Sequence, residues 1–376
     1  MKIAIVGGGP AGMYFALLMK KRDASYEITV HEQNPAGATY GWGVVFSNVA
    51  LSFLEQADAE FYRKFIASHE RCDYMEVIHK DVRVQLRNNH FSRVSRINLL
   101  KVLQDECKSV GVKFNFDRRV DDVSVLGDSD LIVGADGGNS LVRTQFEDHF
   151  KPHFEKRRNK FAWYGTHQLF HAVSLIFRET EYGVFIAHSY QYSKDLSTFL
   201  VEVDPDTWQR AGLDRMSDEE SQRFCEQVFA KDLGSNGLLS NRSFWFSPNI
   251  VSNENWSYKN IVLLGDALRT VHFSLGSGTR MAMQDAIALY EAISEHGNDL
   301  PAAFIHFEKL RRTSSADFQV AAAKSLDWYE SVDKKMHLNP VMFAYDYMRR
   351  TGRVSHEALS ERDPYFIACY EALTAA

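Results

Sequence analysis

The sequence predicts an α/β protein: a domain of parallel strands and helices, interlocked with a β-rich layer and followed by a helical C-terminus. Three observations predict it. The first is a strand, glycine loop and helix at the N-terminus, Ile3-Ala4-Ile5-Val6-Gly7-Gly8-Gly9-Pro10-Ala11-Gly12. The second is the return of that texture at Leu131-Ile132-Val133-Gly134-Ala135-Asp136 and at Ile261-Val262-Leu263-Leu264-Gly265-Asp266, apolar runs that each end in glycine and aspartate. The third is the change between about 156 and 257 to alternating, aromatic-rich segments with few helical periods.

Gly7, Gly9 and Gly12 have the spacing of a Rossmann-like phosphate loop. The first allows the tight turn, the second lets a pyrophosphate approach the backbone, and the third packs helix on strand. Pro10 and Ala11 complete the loop, and a helix over 14–21 aims its unpaired N–H groups at the phosphate. A second strand, 27–32, ends in Glu32, 20 residues past Gly12, where a carboxylate accepts hydrogen bonds from a ribose. The start superficially imitates a signal peptide, but its glycines sit where a phosphate loop needs them.

With 376 residues, 45% hydrophobic and 24% charged, the chain can bury a large core in two interlocked domains. A net charge of −6 argues against nucleic acid as the main partner, and no apolar run reaches membrane-spanning length. A cytoplasmic protein is expected. Cys72, Cys107, Cys225 and Cys369 are scattered without metal-ligand spacing, so reduced, mostly buried thiols are expected rather than disulfides or a metal site.

Gly41-Trp42-Gly43-Val44-Val45-Phe46-Ser47 fits either a loop needing close backbone approach or a turn into a core strand. Residues 51–68 read as helix and 75–84 as a strand, in a segment near 75–95 that the β-rich layer can claim. A helix opens at Arg96 with Leu99, Leu100 and Leu103 as its buried face. A cation there opposes the helix dipole, so Arg96 calls for an anionic partner, unless it forms an ordinary surface ion pair. Residues 112–116 alternate as a strand; 175–177, 182–190 and 197–203 read as antiparallel strands. Ser217-Asp218-Glu219-Glu220 is a capping box opening a helix to about 231. Past Asp266, Gly276-Ser277-Gly278-Thr279-Arg280 leads into a second aimed helix, with Ala282, Ala286, Leu289 and Ile293 on one face and Gly297 at its end. The domains implied are 1–155 plus 256–300, then 156–255, then a helical 301–376.

Gly7-x-Gly9-x-x-Gly12 with Glu32, Asp136-Gly137-x-x-Ser140-x-Val142-Arg143, and Gly265-Asp266-Ala267 with Gly276-x-Gly278 together resemble the single-component FAD-dependent aromatic hydroxylases, the group typified by p-hydroxybenzoate hydroxylase. The resemblance implies that fold, bound FAD, NADH or NADPH as co-substrate, and O2. It implies that Glu32 holds the adenosine ribose, Arg96 supports the pyrophosphate and Asp266 meets the ribityl chain. Asp136 would serve a motif tied to both FAD and NAD(P)H, with Gln33, Val45 and Thr279 as further cofactor contacts. The helix after Gly278 would bring its positive end to the flavin pyrimidine carbonyl.

Two departures narrow the likeness: His272-Phe273 stands where most members carry Pro-Pro, and Arg280 where Asn is usual. With Gly41-Trp42-Gly43-Val44-Val45-Phe46 and Arg349-Arg350-x-x-Arg353-Val354-Ser355-His356-Glu357, they resemble the aryl-CoA branch, the salicylyl-CoA 5-hydroxylases and the hydroxylase half of 2-aminobenzoyl-CoA monooxygenase/reductase. No reductase-like domain follows, so the bifunctional form is not expected. Trp163-Tyr164-Gly165-Thr166 and Phe185-Ile186-Ala187-His188-Ser189-Tyr190 also resemble the violacein-pathway hydroxylase, which keeps a free or tryptophan-derived ring as the rival substrate. A non-catalytic flavoprotein is the reading from another class. The implied reaction adds O2 at the flavin C4a, after reduction by NAD(P)H, and transfers the distal hydroperoxide oxygen to a ring carbon activated by OH or NH2. From 2-hydroxybenzoyl-CoA this gives 2,5-dihydroxybenzoyl-CoA.

Trp42, Val45, His188, Tyr190, His272 and Phe273 are the candidate pocket residues. His272 is preferred for a proton or hydrogen-bond role because an imidazole can titrate near neutrality; the alternative is a side chain filling a proline-shaped gap. Arg349, Arg350 and Arg353, with Lys334 and Lys335 behind them, either take CoA phosphates or form a solvated face. The partner expected is a small aromatic molecule, possibly a CoA thioester, with no nucleic acid and no membrane insertion, bound by a monomer or homodimer.

Overall fold

Uninterrupted apolar runs become strands buried on both faces, which is what a parallel sheet between helices requires. The computed structural model describes residues 1–38, 41–47, 51–272 and 275–375. Its six-stranded sheet runs Ser257–Tyr258, Ile261–Leu263, Leu131–Gly134, Lys2–Val6, Glu27–His31, Lys113–Asn115, parallel except for the first pair. The chain builds outward from Lys2–Val6 on one side and returns to Leu131–Gly134 on the other, so the strand order switches at the carboxyl end of Lys2–Val6. Ligands collect at such a point. Helix Pro10–Arg22 leaves from it with Ala11 through Met19 all buried, packed with helices Arg96–Ser109 and Gly278–His296 in one core.

An eight-stranded sheet forms the second layer, ordered Leu238–Leu239, Lys160–Thr166, Ser197–Val203, Gly183–Gln191, Val173–Thr180, Glu70–His79, Val82–Ser95, Gly43–Ser47. Three of its strands come from the first 95 residues, so the layer takes Gly43–Ser47 as well as the segment near 75–95. The chain crosses between layers at Pro152–Lys156 and Asn249–Asn253, which pair antiparallel. One sheet face packs Phe185, Phe199 and Val201 against Cys225 and Phe229 of the 217–233 region. The opposite face is divided. Leu175, Phe177 and Ile186 are covered by Trp328, Tyr329 and Phe343 of helices Leu300–Glu330 and Pro340–Arg349. Farther along it, Trp163 and Tyr190 meet the Gly41-Trp42-Gly43 segment.

Three local readings change. The strand expected at 75–84 is a hairpin, Glu70–His79 and Val82–Ser95, with Lys80 at φ 52° and Asp81 at φ 59°. Two left-handed residues suit a tight hairpin but lack the Asn-Gly signature. Tertiary bonds hold them: Lys80 Nζ donates to the His337 carbonyl at 2.9 Å, and Asp81 accepts from Arg178 and Lys231, each at 2.6 Å. The helix at 51–68 is two, Ser52–Ala57 and Ala59–Ile66, because Asp58 leaves helical geometry and caps the second through Phe61 N. In Arg96–Ser109 the buried face is Leu99, Leu103 and Cys107, while Leu100 is half-buried. The capping box at Ser217 forms as expected, opening Asp218–Val228. Cys72, Cys107 and Cys225 are buried thiols and Cys369 is half-buried. No described helix is long and apolar enough to cross a membrane.

Candidate active site

At the switch point the glycines have separate duties. Gly7 sits at φ 108°, and a side chain there would run into the Ala135 carbonyl. A Cβ on Gly12 would lie 2.5 Å from the Gly7 carbonyl and 2.8 Å from Ile5. Gly9 faces open space, with nothing within 4 Å, and Pro10 stands at the first helical position. Protein contacts therefore demand glycine at 7 and 12, whereas Gly9 keeps a space clear for something else. Gly265, at φ 58°, nests against Ala11 and Ala282, both within 3.2 Å of a Cβ placed there, bringing the two aimed helices together.

Glu32 closes one end of the cradle. Its Oε2 accepts from Gly8 N at 2.7 Å and its Oε1 from Asn34 N and Nδ2 at 2.8 and 2.7 Å, so the carboxylate is fixed while Gln33 beside it is exposed. At the other end, Arg96 and Asp266 attract one another. Surrounding protein lowers the Arg96 pKa and raises that of Asp266, and each opposite charge counters this. Asp266 is nevertheless an exposed residue. Asp266 is thus an opposite charge within electrostatic reach of Arg96.

Asp136 is committed to the protein. Its Oδ1 accepts from Ser140 Oγ at 2.5 Å and its Oδ2 from Leu141 N and Val142 N at 2.7 and 3.2 Å; burial raises its pKa and these bonds oppose the rise. Arg143, 2% exposed, extends the strut by donating to the Ala267 carbonyl at 3.0 Å and the Gly138 carbonyl at 2.5 Å. The second motif therefore ties two glycine turns together. Gly276, at φ 60°, lies against Val45, and Gly278 opens helix Gly278–His296 into free space with half-buried Thr279 behind it. Ser277 makes no side-chain cap, leaving the first N–H groups of that helix for a ligand.

The aromatic wall adjoins this cradle. Arg96 N donates to the Trp42 carbonyl at 2.9 Å, and Trp42 Nε1 to the Trp163 carbonyl at 3.2 Å. The Trp42 ring lies on Gly165, where a Cβ would meet it at 2.6 Å; Tyr190 OH donates to Gly43 O at 2.9 Å. Burial drives the Tyr190 pKa up, so the phenol stays protonated. Trp163 Nε1 in turn donates to Thr198 Oγ1 at 2.6 Å. Both sequence alternatives for residues 41–47 meet here, as close glycine approach and as the edge strand Gly43–Ser47.

His272 is 2% exposed, 5.3 Å from the Phe161 ring. Burial first, then the nearby charges of His188 and Arg157, push its pKa down to about 3. It is neutral at neutral pH, which corrects the expectation that it titrates there. His188 has the better supported polar environment: its Nε2 lies 2.9 Å from Oε2 of Glu202, which is 0% exposed and also accepts from Asn159 Nδ2 at 2.7 Å. Sequence reasoning passed over Glu202 and Asn159; the signal was a lone acid inside the apolar strand Ser197–Val203. Phe273 and Ser274 lie outside the described residues.

The basic cluster separates. Arg349 Nη1 donates to Tyr345 OH at 3.1 Å; Arg350 donates to Ser325 Oγ at 2.9 Å and lies 3.9 Å over the Tyr347 ring. The Arg350 group is half-buried and built into the helical C-terminus, whereas Arg349 is exposed. Arg353 remains exposed.

A switch-point glycine cradle, paired by a second uncapped helix and walled by a β layer, defines a dinucleotide-binding flavoprotein fold. Residues 1–300 match the FAD binding domain family. The chain is 36% identical over 377 residues to salicyloyl-CoA 5-hydroxylase of a Streptomyces species, covering 98% of this chain and 72% of that one. It is 34% identical to protodeoxyviolaceinate monooxygenase of Chromobacterium violaceum (97% and 99%) and 33% identical to 3-hydroxy-4-methyl-anthranilyl-[aryl-carrier protein] 5-monooxygenase of Streptosporangium sibiricum (88% and 89%). In fold it is similar to 2-methyl-3-hydroxypyridine-5-carboxylic acid oxygenase, with a TM-score of 0.73 at 16% identity over 96% and 95% of the two chains. The chain belongs to the FAD-binding-domain family, as an FAD-dependent aromatic hydroxylase that uses NAD(P)H and O2.

Proposed function

We propose that this hydroxylase acts on an aromatic ring carried as a thioester, with 2-hydroxybenzoyl-CoA as the first candidate and 2,5-dihydroxybenzoyl-CoA as its product. The observation that carries the reading is a tryptophan- and tyrosine-lined wall joined through Trp42 to the Arg96–Asp266 end of the cofactor cradle. Likeness to a salicyloyl-CoA hydroxylase along 98% of the chain supports the thioester. The rival is a free or tryptophan-derived ring, favoured by the similar likeness to protodeoxyviolaceinate monooxygenase. A cytoplasmic location accords with the acidic composition.

The residues present fit FAD. Gly9 and Gly278 leave room where side chains would intrude, and Glu32, Arg96 and Asp266 would meet the polar demands of ribose, pyrophosphate and ribityl chain. Gly7, Pro10, Ala11 and Gly12 would shape the phosphate end; Val45, Gly276, Gly278 and Thr279 would shape the flavin end. Bound FAD, reduced by NAD(P)H and exposed to O2, supplies the electrophilic oxygen. The chain contributes placement and proton control. Trp42, Trp163 and Tyr190 exclude water and hold the ring. With Glu202 holding Nε2–H of His188, Nδ1 is the acceptor for the substrate hydroxyl, and drawing that proton enriches the ring carbon para to it. Neutral His272 serves as a hydrogen-bonding wall.

The test is the rate at which NAD(P)H reduces the bound flavin with 2-hydroxybenzoyl-CoA, 2-aminobenzoyl-CoA, free 2-hydroxybenzoate or tryptophan added. Acceleration by an aryl-CoA with a hydroxylated thioester as product is expected. Acceleration only by the free acid or the indole would overturn the thioester reading.

A further inference from the structure

We propose that Arg280, Arg311 and Arg353 form a phosphate site that takes the charged handle of the substrate, an inference that rests on the aryl-thioester reading above. The three come from separate places: Arg280 from the first turn of Gly278–His296, Arg311 from Leu300–Glu330, and Arg353 from the loop beyond Pro340–Arg349. They line one depression of about 280 Å³ together with Ser314, Asp317 and Phe318.

The charge there is only partly balanced by the protein. Among the described residues Arg280 makes no hydrogen bond or ion pair, and its Nε is buried without a partner. Burial and the like charges of Arg311 and Arg353 lower the Arg280 pKa, which places all three within electrostatic reach. Arg311 Nε donates to Asp285 at 2.9 Å, but that carboxylate also takes Arg269 at 2.7 Å, so one negative charge serves two cations. Arg353 sits 5.4 Å over the Phe318 ring with its charge exposed, and Asp317, exposed on the same depression, forms no ion pair with them. Converging guanidinium forks match phosphate oxygens, and an anion relieves their mutual repulsion.

Location points to the substrate. Helix Leu300–Glu330 lines this depression with Arg311 to Phe318, and with Gln319 to Leu326 it lines the cleft that reaches His272. At 1.5 Å per residue the two stretches are centred about 12 Å apart along one helix. A ring beside His272 and a phosphate at the arginines would lie along the same surface.

The FAD-loaded protein is titrated calorimetrically with adenosine 3′,5′-diphosphate, which carries phosphates like those of CoA. Binding should weaken about tenfold or more in Arg353→Gln and in Arg280→Gln. In turnover, Arg353→Gln should raise KM for 2-hydroxybenzoyl-CoA about tenfold and leave KM for 2-hydroxybenzoyl-pantetheine, which has no phosphate, unchanged. Equal binding by wild type and both variants, or none by wild type, would overturn the site. A rise in KM confined to NADPH, with NADH and the thioester unaffected, would overturn its assignment to the substrate. Arginine-dependent binding of the diphosphate by a protein that hydroxylates only free rings would refute the thioester reading and leave the phosphate site standing.

Discussion

Replacing His272 with glutamine should flatten part of the acid sensitivity of the fold. The folded imidazole is held at about 3 by burial and by the charges of His188 and Arg157, whereas an unfolded one titrates near 6.5. Between those values the unfolded chain binds a proton that the folded chain refuses. Stability from this group is therefore complete above pH 6.5 and is lost as pH falls toward 3. At pH 5 the unfolded ring gains about 2 kcal/mol by protonation, and the folded ring gains almost nothing. Wild type should lose that amount between pH 8 and 5 through His272 alone, in addition to losses at groups such as His69, which burial pushes down to about 4. His272→Gln should lose about 2 kcal/mol less over the same interval. Urea unfolding of the FAD-loaded protein and its variant at both pH values gives the comparison. An equal loss in the two proteins would refute the neutral-histidine argument, as would a limb near pH 7 in the kcat profile that disappears with His272.

Gly9→Ala should fold as stably as wild type, because the added methyl meets no protein atom, yet bind FAD about tenfold more weakly; fluorescence titration with FAD checks this, and an unchanged Kd would contradict the cradle. Glu202→Leu strands the Asn159 and His188 donors and should cost about 3 kcal/mol in denaturant unfolding. Asp285→Ala leaves Arg269 and Arg311 without their shared carboxylate, and a loss of about 3–5 kcal/mol in the same assay is expected. Arg350→Ala removes the stacking on Tyr347 and the bond to Ser325, so stability should fall by about 1 kcal/mol while KM for 2-hydroxybenzoyl-CoA stays unchanged.

Local pattern made the nucleotide half legible. Glycine spacing, an acid at a strand end and an apolar face on the helix after Gly278 are imposed within a few residues of chain, and the structure builds each where the spacing puts it. The hairpin at Lys80-Asp81 was not legible. Its left-handed turn is held by His337, Leu338, Arg178 and Lys231, partners remote in sequence.

The same division runs through the candidate site. Sequence alone determined the family-level reading and the glycine turn at 7–12, because each follows from residue type at fixed local spacing. Only the tertiary structure decided how side chains are shared. It committed Asp136 to helix amides and Arg350 to an aromatic ring. It buried His272 until its proton affinity fell, and it set Glu202 behind His188. It also brought Arg280, Arg311 and Arg353 from three elements to one depression. Desolvation and charge pairing depend on which distant segments pack together, and that is settled when the two sheets and the C-terminal helices close on one another.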